Sequence, residues 1–402
     1  MSTGKVAPLP LSPPRRWEGP PGPDGAPLLD LKGRLPEELS SLVQAMGQPG
    51  YRARQLFAAL HGQGARALAD IHVLPAALRE QLSRRATIHT GRVLARQADP
   101  RDGTVKYLLE LGDGTNVETV LMRYRYGYSV CVSSQVGCRM GCAFCASTLG
   151  GLERNLLAGE MCEQVDLINR ELEEAARGRS GAPHFPAPDD EEEPGARHDR
   201  VGRLVVMGMG EPLENLEEVV RFLRVTHEGD GAGIGYRHMT VSTSGLVPAI
   251  RELAALDLPI TLAVSLHAPN DELRNRLVPL NRRHPLGELL PACREYVAAS
   301  GRRLTLEYVL IGGVNDLPEH ARELGRVLRG LPCHVNLIPL NPVPERQLQP
   351  SDPRTMARFL GLVRGAGIPV TLRRQLGTAI DAACGQLRRR RALEEPAGSP
   401  SQ

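Results

Sequence analysis

The sequence predicts an α/β protein in which a parallel sheet, closed or partly closed into a barrel, follows a small helical accessory domain. Three observations carry this. In the second half of the chain, strand-like runs (RLVVMGMG, HMTVSTS, ITLAVSLH, LTLEYVLIGG, HVNLIPLNP) alternate with amphipathic runs (LEEVVRFLRVTH, LVPAIRELAAL, ELLPACREYVAAS, EHARELGRVLRG). Repeated strand-helix-strand units place their strands in parallel. Residues 36–86 instead carry helical periodicity alone, and the 402 residues, 41% apolar and 24% charged, suffice for a large buried core.

Taken in order, residues 1–30 are rich in Pro and Gly with little periodicity, which predicts a disordered N-terminal extension. Residues 31–90 form the helical domain. In PEELSSLVQAM, YRARQLFAALHG and PAALREQLSRRA apolar residues recur three or four apart, with Gly and Pro between the runs. Its Arg52, Arg54, Arg66, Arg79, Arg84 and Arg85 suit phosphate contacts or a solvated helix face. Residues 91–130 read as a strand-rich connector, with TVKYLLEL and TNVETVLM flanking an Asp113-Gly114 turn and YSVCVSS beyond. The core barrel is expected over 131–345, interrupted by an acidic, Pro-rich surface insertion at 178–200. A C-terminal segment follows at 346–391, then a disordered tail at 392–402.

The net charge is +3, although Asp189, Asp190, Glu191, Glu192 and Glu193 alone remove five, so the rest of the chain stands at about +8. That balance leans towards a polyanionic partner and equally serves solubility. A content of 1 Trp, 8 Tyr and 5 Phe argues against an extended base-stacking platform, and nucleic acid would be held mainly by charge and shape. No run of 18 apolar residues and no N-terminal apolar h-region occur, so the expectation is a cytoplasmic protein with no membrane contact. In a reducing compartment eight cysteines point to metal ligands, reactive thiols or small packed residues.

The strongest chemical signal is VGCRMGCAFCAS, which sets Cys138, Cys142 and Cys145 at C-x3-C-x2-C just after a strand. A structural zinc site wants two ligand pairs, and no matching C-x2-C lies elsewhere. Three thiolates suit instead a four-iron four-sulfur cluster whose fourth iron stays open to a small chelate. Gly137 and Gly141 free the backbone to wrap it. This motif resembles that of the radical S-adenosylmethionine (SAM) superfamily, in which the SAM methionine chelates the open iron. The strand LVVMGMGEP, ending in Gly208, Gly210, Glu211 and Pro212, is similar to the glycine and glutamate motif that receives the SAM amino group.

The segments CVSSQVGCRMGCAFCAS, GGLERNLLAGE, MGMGEPLEN, TVSTSG, AVSLHAPND, HVNLIPLNPVPER and IDAACGQL together resemble the RlmN/Cfr adenine methyltransferases, from about Tyr51 to Arg388, and most closely the RlmN branch. The resemblance implies a radical SAM partial (β/α)6 barrel. It also implies methylation of carbon 2 of adenosine 2503 in 23S rRNA and of adenosine 37 in certain tRNAs. Carbon 2 of adenine lies between two ring nitrogens and has no lone pair, so it cannot attack a sulfonium methyl directly. A carbon radical adding to the ring remains open, which calls for a one-electron donor and a radical-yielding cofactor.

By the same resemblance Cys384 carries the methyl group, Cys131 is its partner thiol and Glu118 the proton acceptor. One 4Fe-4S cluster and two SAM molecules per turnover are implied, one donating the methyl group and one supplying the radical. The cycle ends when Cys131 attacks Cys384, leaving a transient disulfide. SAM contacts carry over to Gly210, Glu211, Ser242, Ser265, Leu266, His267 and Asn341, at predicted strand ends where a barrel presents its site. A one-electron reductant such as flavodoxin or ferredoxin is implied, and a monomer is expected, since no long exposed apolar stripe stands out.

Read alone, these residues have plainer alternatives. Cys131 in its alternating strand and Cys384 beside Ala382, Ala383 and Gly385 suit buried packing, Glu118 a surface strand carboxylate, and Ser or His at strand ends a cap. Cys162, Cys293 and Cys333 fall outside the motifs and read as packing residues. A Cfr-type enzyme would use the same cysteines to methylate carbon 8 of the rRNA adenosine and confer antibiotic resistance. A non-enzymatic iron-sulfur or RNA-binding protein is the alternative of another class.

Overall fold

The structure is a computed structural model that describes residues 17, 19–178, 197–374, 377, 380 and 386–388. In the N-terminal part β1 (Leu29–Asp30) is followed by α1 (Pro36–Ala45), α2 (Tyr51–Phe57), α3 (Ala76–Ser83) and β2 (Ala86–Thr87), which pairs in parallel with β1. Leu39, Val43, Leu56, Phe57, Leu78 and Leu82 supply the buried faces of these helices, as the three-to-four spacing predicts. Glu38 reaches back to the Leu35 N–H at 2.9 Å and so closes the first turn of α1.

Folded structure begins before Leu31, contrary to the expectation for 1–30. Pro21 bridges Pro27, β1 pairs with β2, and the Arg154 guanidinium lies over the Trp17 ring at 5.2 Å. A two-residue strand whose partner lies more than fifty residues away leaves no local period to read. Residues 1–16, the tail at 392–402 and the greater part of the acidic insertion lie outside the described residues. The insertion expected to reach residue 200 ends sooner, because the next strand already starts at Arg197.

Four strands follow as hairpins: β3 (Arg92–Ala98), β4 (Val105–Glu110), β5 (Asn116–Tyr124) and β6 (Gly127–Cys131). A small antiparallel pair, β7 (Gln135–Gly137) with β8 (Leu152–Asn155), encloses the cysteine motif. After α4 (Ala158–Ala176) the chain alternates: β9 (Arg197–Val206), α5 (Leu216–His227), β10 (Met239–Thr243), α6 (Val247–Ala255), β11 (Thr261–Ser265), α7 (Asp271–Leu277), α8 (Leu286–Ser300), β12 (Leu304–Leu310), α9 (Pro318–Val327), β13 (Cys333–Pro339), α10 (Pro353–Gly365) and β14 (Val370–Leu372).

These strands form one ten-stranded sheet in the order β14-β13-β12-β11-β10-β9-β6-β5-β4-β3. From β6 to β14 every neighbour pairs in parallel; β9, β10, β11, β12 and β13 are each followed by a helix, and β6 reaches α4 through the β7–β8 pair. The sheet stays open, with β14 and β3 at its edges, so of the two expectations the partly closed form holds. The connector of 91–130 is no separate layer. Its hairpins extend the parallel sheet through β6, which is antiparallel to β5 and parallel to β9.

A buried charge cluster joins the N-terminal helices to α4. Lys32, fully buried, donates from Nζ to Asp166 at 2.8 Å and to Glu163, while His61 Nδ1 lies 3.6 Å from Asp166. Glu163 also accepts from the Gly91 N–H at 3.0 Å and from Arg170 at 2.7 Å. Charges this far from water persist only when paired, so the cluster fixes the helical domain in one orientation on the sheet. No described helix is long and apolar enough to cross a membrane.

Candidate active site

A cavity of about 280 Å³ opens at the C-terminal ends of the parallel strands, lined among others by Cys138, Cys142, Cys145, Gly210, Glu211 and His267. Ser242, Ser265 and Asn341 line it too, from the ends of β10, β11 and β13. In this fold the strand ends present the loops, so residues distant in sequence converge there.

The cysteine loop is built by its backbone. Gly137 closes β7 at φ 77°, and a Cβ there would stand 2.0 Å from the Gly151 carbonyl oxygen, so the position admits only glycine. The Cys138 N–H donates to that same Gly151 oxygen at 2.8 Å, and the Ala143 N–H to Leu277 at 2.9 Å. Thr148 Oγ1 donates to the Cys145 carbonyl at 2.9 Å and accepts from Arg346 at 3.0 Å. Burial pushes the Cys142 thiol up to about 12 and raises Cys138 well above the ordinary range; both are raised further by the neighbouring cysteines and Glu211.

Two buried thiols, with the half-buried Cys145 beside them, need a multivalent cation to become thiolates. Among the described residues no three His, Cys, Asp or Glu side chains converge as the ligands of a single ion would. Three sulfurs lining one cavity fit a polynuclear group that takes one metal per sulfur, as an iron-sulfur cluster does. Met140 and Phe144 supply an apolar wall beside it.

Glu211 is the cavity's buried anion, 2% exposed. Its Oε2 accepts from the Ser244 N–H and hydroxyl, both at 2.7 Å, and its Oε1 from the Leu213 N–H at 3.1 Å. Burial raises its carboxyl above the usual carboxylate range against these donors. An ammonium group entering the cavity would find a preorganised partner. Gln135 ties this turn to the cysteine loop: its Oε1 accepts the Glu211 N–H at 2.8 Å and its Nε2 donates to Glu214 at 3.0 Å. Arg139, between the first two cysteines, donates to the same Glu214 at 2.7 Å.

His267 follows β11 in the left-handed region, φ 57°, and its Nδ1 accepts the Val309 N–H at 3.0 Å. The proton is thus assigned to Nε2. Burial lowers its pKa to about 3, with the charge of Arg274 acting the same way, so the ring is neutral. Arg274 itself is fully buried and donates to the carbonyls of Ser244 at 2.6 Å, Ser265 at 3.0 Å and Leu266 at 3.1 Å, and to Asn281 Oδ1 at 2.8 Å. One guanidinium therefore clamps the ends of two strands under the cavity. The Leu266 side chain belongs to the apolar core and does not line the cavity; its backbone reaches the site through this carbonyl and through its N–H, which donates to the Glu307 carbonyl at 3.0 Å.

A second group of residues lies on β4, β5 and β6. Cys131 is 8% exposed and Glu118 2%, so Glu118 is not the surface carboxylate that its strand alone suggests. Both faces of β5 are covered over most of its length. Lys106 Nζ stands 2.9 Å from Glu118 Oε2, and the Arg388 N–H donates to Glu118 Oε1 at 2.8 Å. Cys384 lies outside the described residues, as does its pairing with Cys131. Cys162, Cys293 and Cys333 are buried free thiols in the core, as expected of packing residues.

Residues 132–324 match the model of the radical SAM superfamily. A probable dual-specificity RNA methyltransferase RlmN of Symbiobacterium thermophilum is 48% identical over 361 residues, 90% of this chain and 91% of its own length. That of Desulforamulus reducens is 45% identical over 90% of this chain and 96% of its own. The crystal structure of a radical SAM methyltransferase from Sphaerobacter thermophilus superposes with a TM-score of 0.80 at 46% identity, covering 89% of this chain and 98% of that one. The chain belongs to the RlmN family of radical SAM methyltransferases.

In this RlmN-family chain the structure brings Cys138, Cys142, Cys145, Gly210, Glu211, Ser242, Ser265, His267 and Asn341 to one cavity. Sequence reasoning missed Ser244, Arg274, Gln135, Glu307 and Arg373. Ser244 stands in the same TVSTSG run that singled out Ser242, and Gln135 inside SSQVGC, so motif position was a signal for both. Glu307 and Arg373 line the cavity from β12 and from just beyond β14, where no local pattern marks them.

Proposed function

We propose that this protein is an RNA methyltransferase that methylates carbon 2 of adenosine 2503 in 23S rRNA and of adenosine 37 in tRNAs. The reading takes its substrate class from relatives named as dual-specificity RNA methyltransferases. The observation that carries it is one cavity lined by three clustered thiols and a buried carboxylate at the strand ends. Bound between them, a 4Fe-4S cluster and SAM would supply one-electron cleavage of the sulfonium and a radical able to take hydrogen from a methyl group. Cys138, Cys142 and Cys145 would hold the cluster, and Glu211 with Ser244 would receive the SAM ammonium.

The remaining work falls to three residues. Cys384 takes a methyl group onto its sulfur from one SAM, and a second SAM serves the radical step. That radical step takes one hydrogen atom from the methyl group, and the methylene carbon left on Cys384 then bonds to carbon 2 of the adenine. Glu118, held in its buried pair, takes the proton leaving that carbon. Cys131 attacks the Cys384 sulfur: the S–S bond forms as the S–C bond breaks. The released electron pair takes up a proton to complete the product methyl group, and the adduct's unpaired electron passes to a one-electron acceptor. The cell reduces the disulfide, and flavodoxin or ferredoxin suits the separate one-electron supply. Arg388, four residues beyond Cys384, bonds to Glu118, which supports a common site for the three.

The test is Cys384→Ala in protein reconstituted anaerobically with iron and sulfide. The variant is expected to keep the cluster's absorbance and to cleave SAM to 5′-deoxyadenosine, yet transfer no methyl group to RNA. Cys138→Ala should instead lose the cluster. Full methyl transfer by Cys384→Ala would remove the carrier role.

A further inference from the structure

We propose that Lys106 is a positioning residue for the methyl transfer: its ammonium holds and aims the Glu118 carboxylate, so that this carboxylate can take the proton from carbon 2. The inference rests on the reading above and adds a residue that neither motif nor composition marks.

The argument begins with register. Across the antiparallel strands Lys106 of β4 lies opposite Val120 of β5, and Val120 lies opposite Cys131 of β6. Residues directly opposite one another share a face, and Glu118, two positions from Val120, shares it too. Lys106, Glu118 and Cys131 therefore occupy one face of three adjacent strands. Lys106 is fully buried and Glu118 2% exposed, with Nζ 2.9 Å from Oε2.

The backbone fixes the acid's setting. Ser133 Oγ donates to the Glu118 carbonyl at 2.6 Å, and Thr119 Oγ1 to the Cys131 carbonyl at 2.8 Å, locking the register beside the thiol. The Arg388 N–H occupies Oε1 at 2.8 Å, and the guanidinium of Arg388 pairs with Glu153. A buried charged group is held in place only by a paired, hydrogen-bonded partner. Lys106 is that partner. In the step assigned, the C–H bond at carbon 2 breaks, its electron pair stays with the ring, and an O–H bond forms on Glu118.

Four proteins are compared under anaerobic turnover with SAM, reductant and a 23S rRNA fragment: wild type, Lys106→Met, Glu118→Gln and the double variant, which buries a neutral pair. The readouts are methylated Cys384, 5′-deoxyadenosine, 2-methyladenosine, and a covalent protein-RNA adduct on a denaturing gel. Lys106→Met is expected to methylate Cys384 and release 5′-deoxyadenosine normally, to make product about 100-fold more slowly, and to accumulate the adduct. The double variant should lose no more than Glu118→Gln alone, because both act through one carboxylate. Lys106→Arg should recover most of the rate.

Unchanged product formation in Lys106→Met would overturn the proposal. So would multiplicative losses in the double variant, or a loss of product without adduct. If the wild type itself makes no 2-methyladenosine, the failure lies with the underlying reading and not with Lys106.

Discussion

Gln135 and Glu211 are joined by a 2.8 Å hydrogen bond from the Glu211 N–H to the Gln135 side-chain oxygen, which couples the cysteine loop to the glycine-rich turn. The two motifs are separated by 76 residues, yet their backbones interlock: the Ser134 N–H donates to the Met209 carbonyl at 2.9 Å, and the Met209 N–H to Ser133 Oγ at 3.0 Å. The loop of clustered thiols and the buried Glu211 carboxylate thus form one rigid unit.

Gly210 makes that close approach possible. Its φ is 110°, and a Cβ would stand 2.7 Å from Gln135 Cβ and 2.9 Å from the Gln135 backbone nitrogen. Gly210→Ala should cost about 1–3 kcal/mol from strain alone and more from the collision. It should also weaken SAM binding at least about tenfold by moving Glu211. Thermal denaturation and calorimetric titration with SAM check both, and wild-type values would show that the approach is not required.

Arg274 serves four oxygens with one planar group, a geometry lysine cannot copy. Burial lowers its pKa to about 10, so at neutral pH it remains charged. Arg274→Lys is expected to leave buried carbonyls unpaired, at a cost of about 3 kcal/mol. SAM affinity should fall with stability, because Ser244 and His267 lie on the clamped strand ends. Denaturant unfolding and SAM titration measure the two, and a variant equal to wild type in both would exclude the clamp.

The Lys32 cluster gives a pH signature. Burial alone would raise the Asp166 carboxyl, but the charges of Lys32 and His61 outweigh it and hold it at about 2. An unfolded Asp titrates near 3.9, so between these values the unfolded chain binds more protons. The contribution, about 2 kcal/mol, is complete above about pH 4 and is lost as pH falls towards 2. Lys32→Met should destabilise the protein by about 3–5 kcal/mol at neutral pH, leaving Asp166 and Glu163 without their ammonium. The gap to wild type should shrink as the medium is acidified. Denaturant midpoints from pH 3 to 7 measure it; a constant gap would contradict the assignment.

The alternating helices and strands were legible because each element carries its own period, and the cysteine and glycine motifs because their geometry is local. Glu118 was legible as a residue but not as a buried one. The alternation of TNVETVLM suggests one wet face, and only the assembled sheet covers both. Arg274 and Lys106 were hidden for a related reason. Arginine and lysine in such runs read as surface charge until the fold removes water from them. The open edge between β14 and β3 was likewise beyond local pattern, since closure depends on how many strands the sheet admits. Leu266, carried over with Ser265 and His267 from the family resemblance, has its side chain in the core, where alternation along the strand turns it.

The most direct test of the account is mass spectrometry of the nucleosides from unmodified 23S rRNA incubated anaerobically with the reconstituted protein, SAM and a reductant. The account predicts 2-methyladenosine, with 5′-deoxyadenosine formed alongside it. Appearance of 8-methyladenosine, or SAM cleavage that leaves this RNA unmodified, would contradict it.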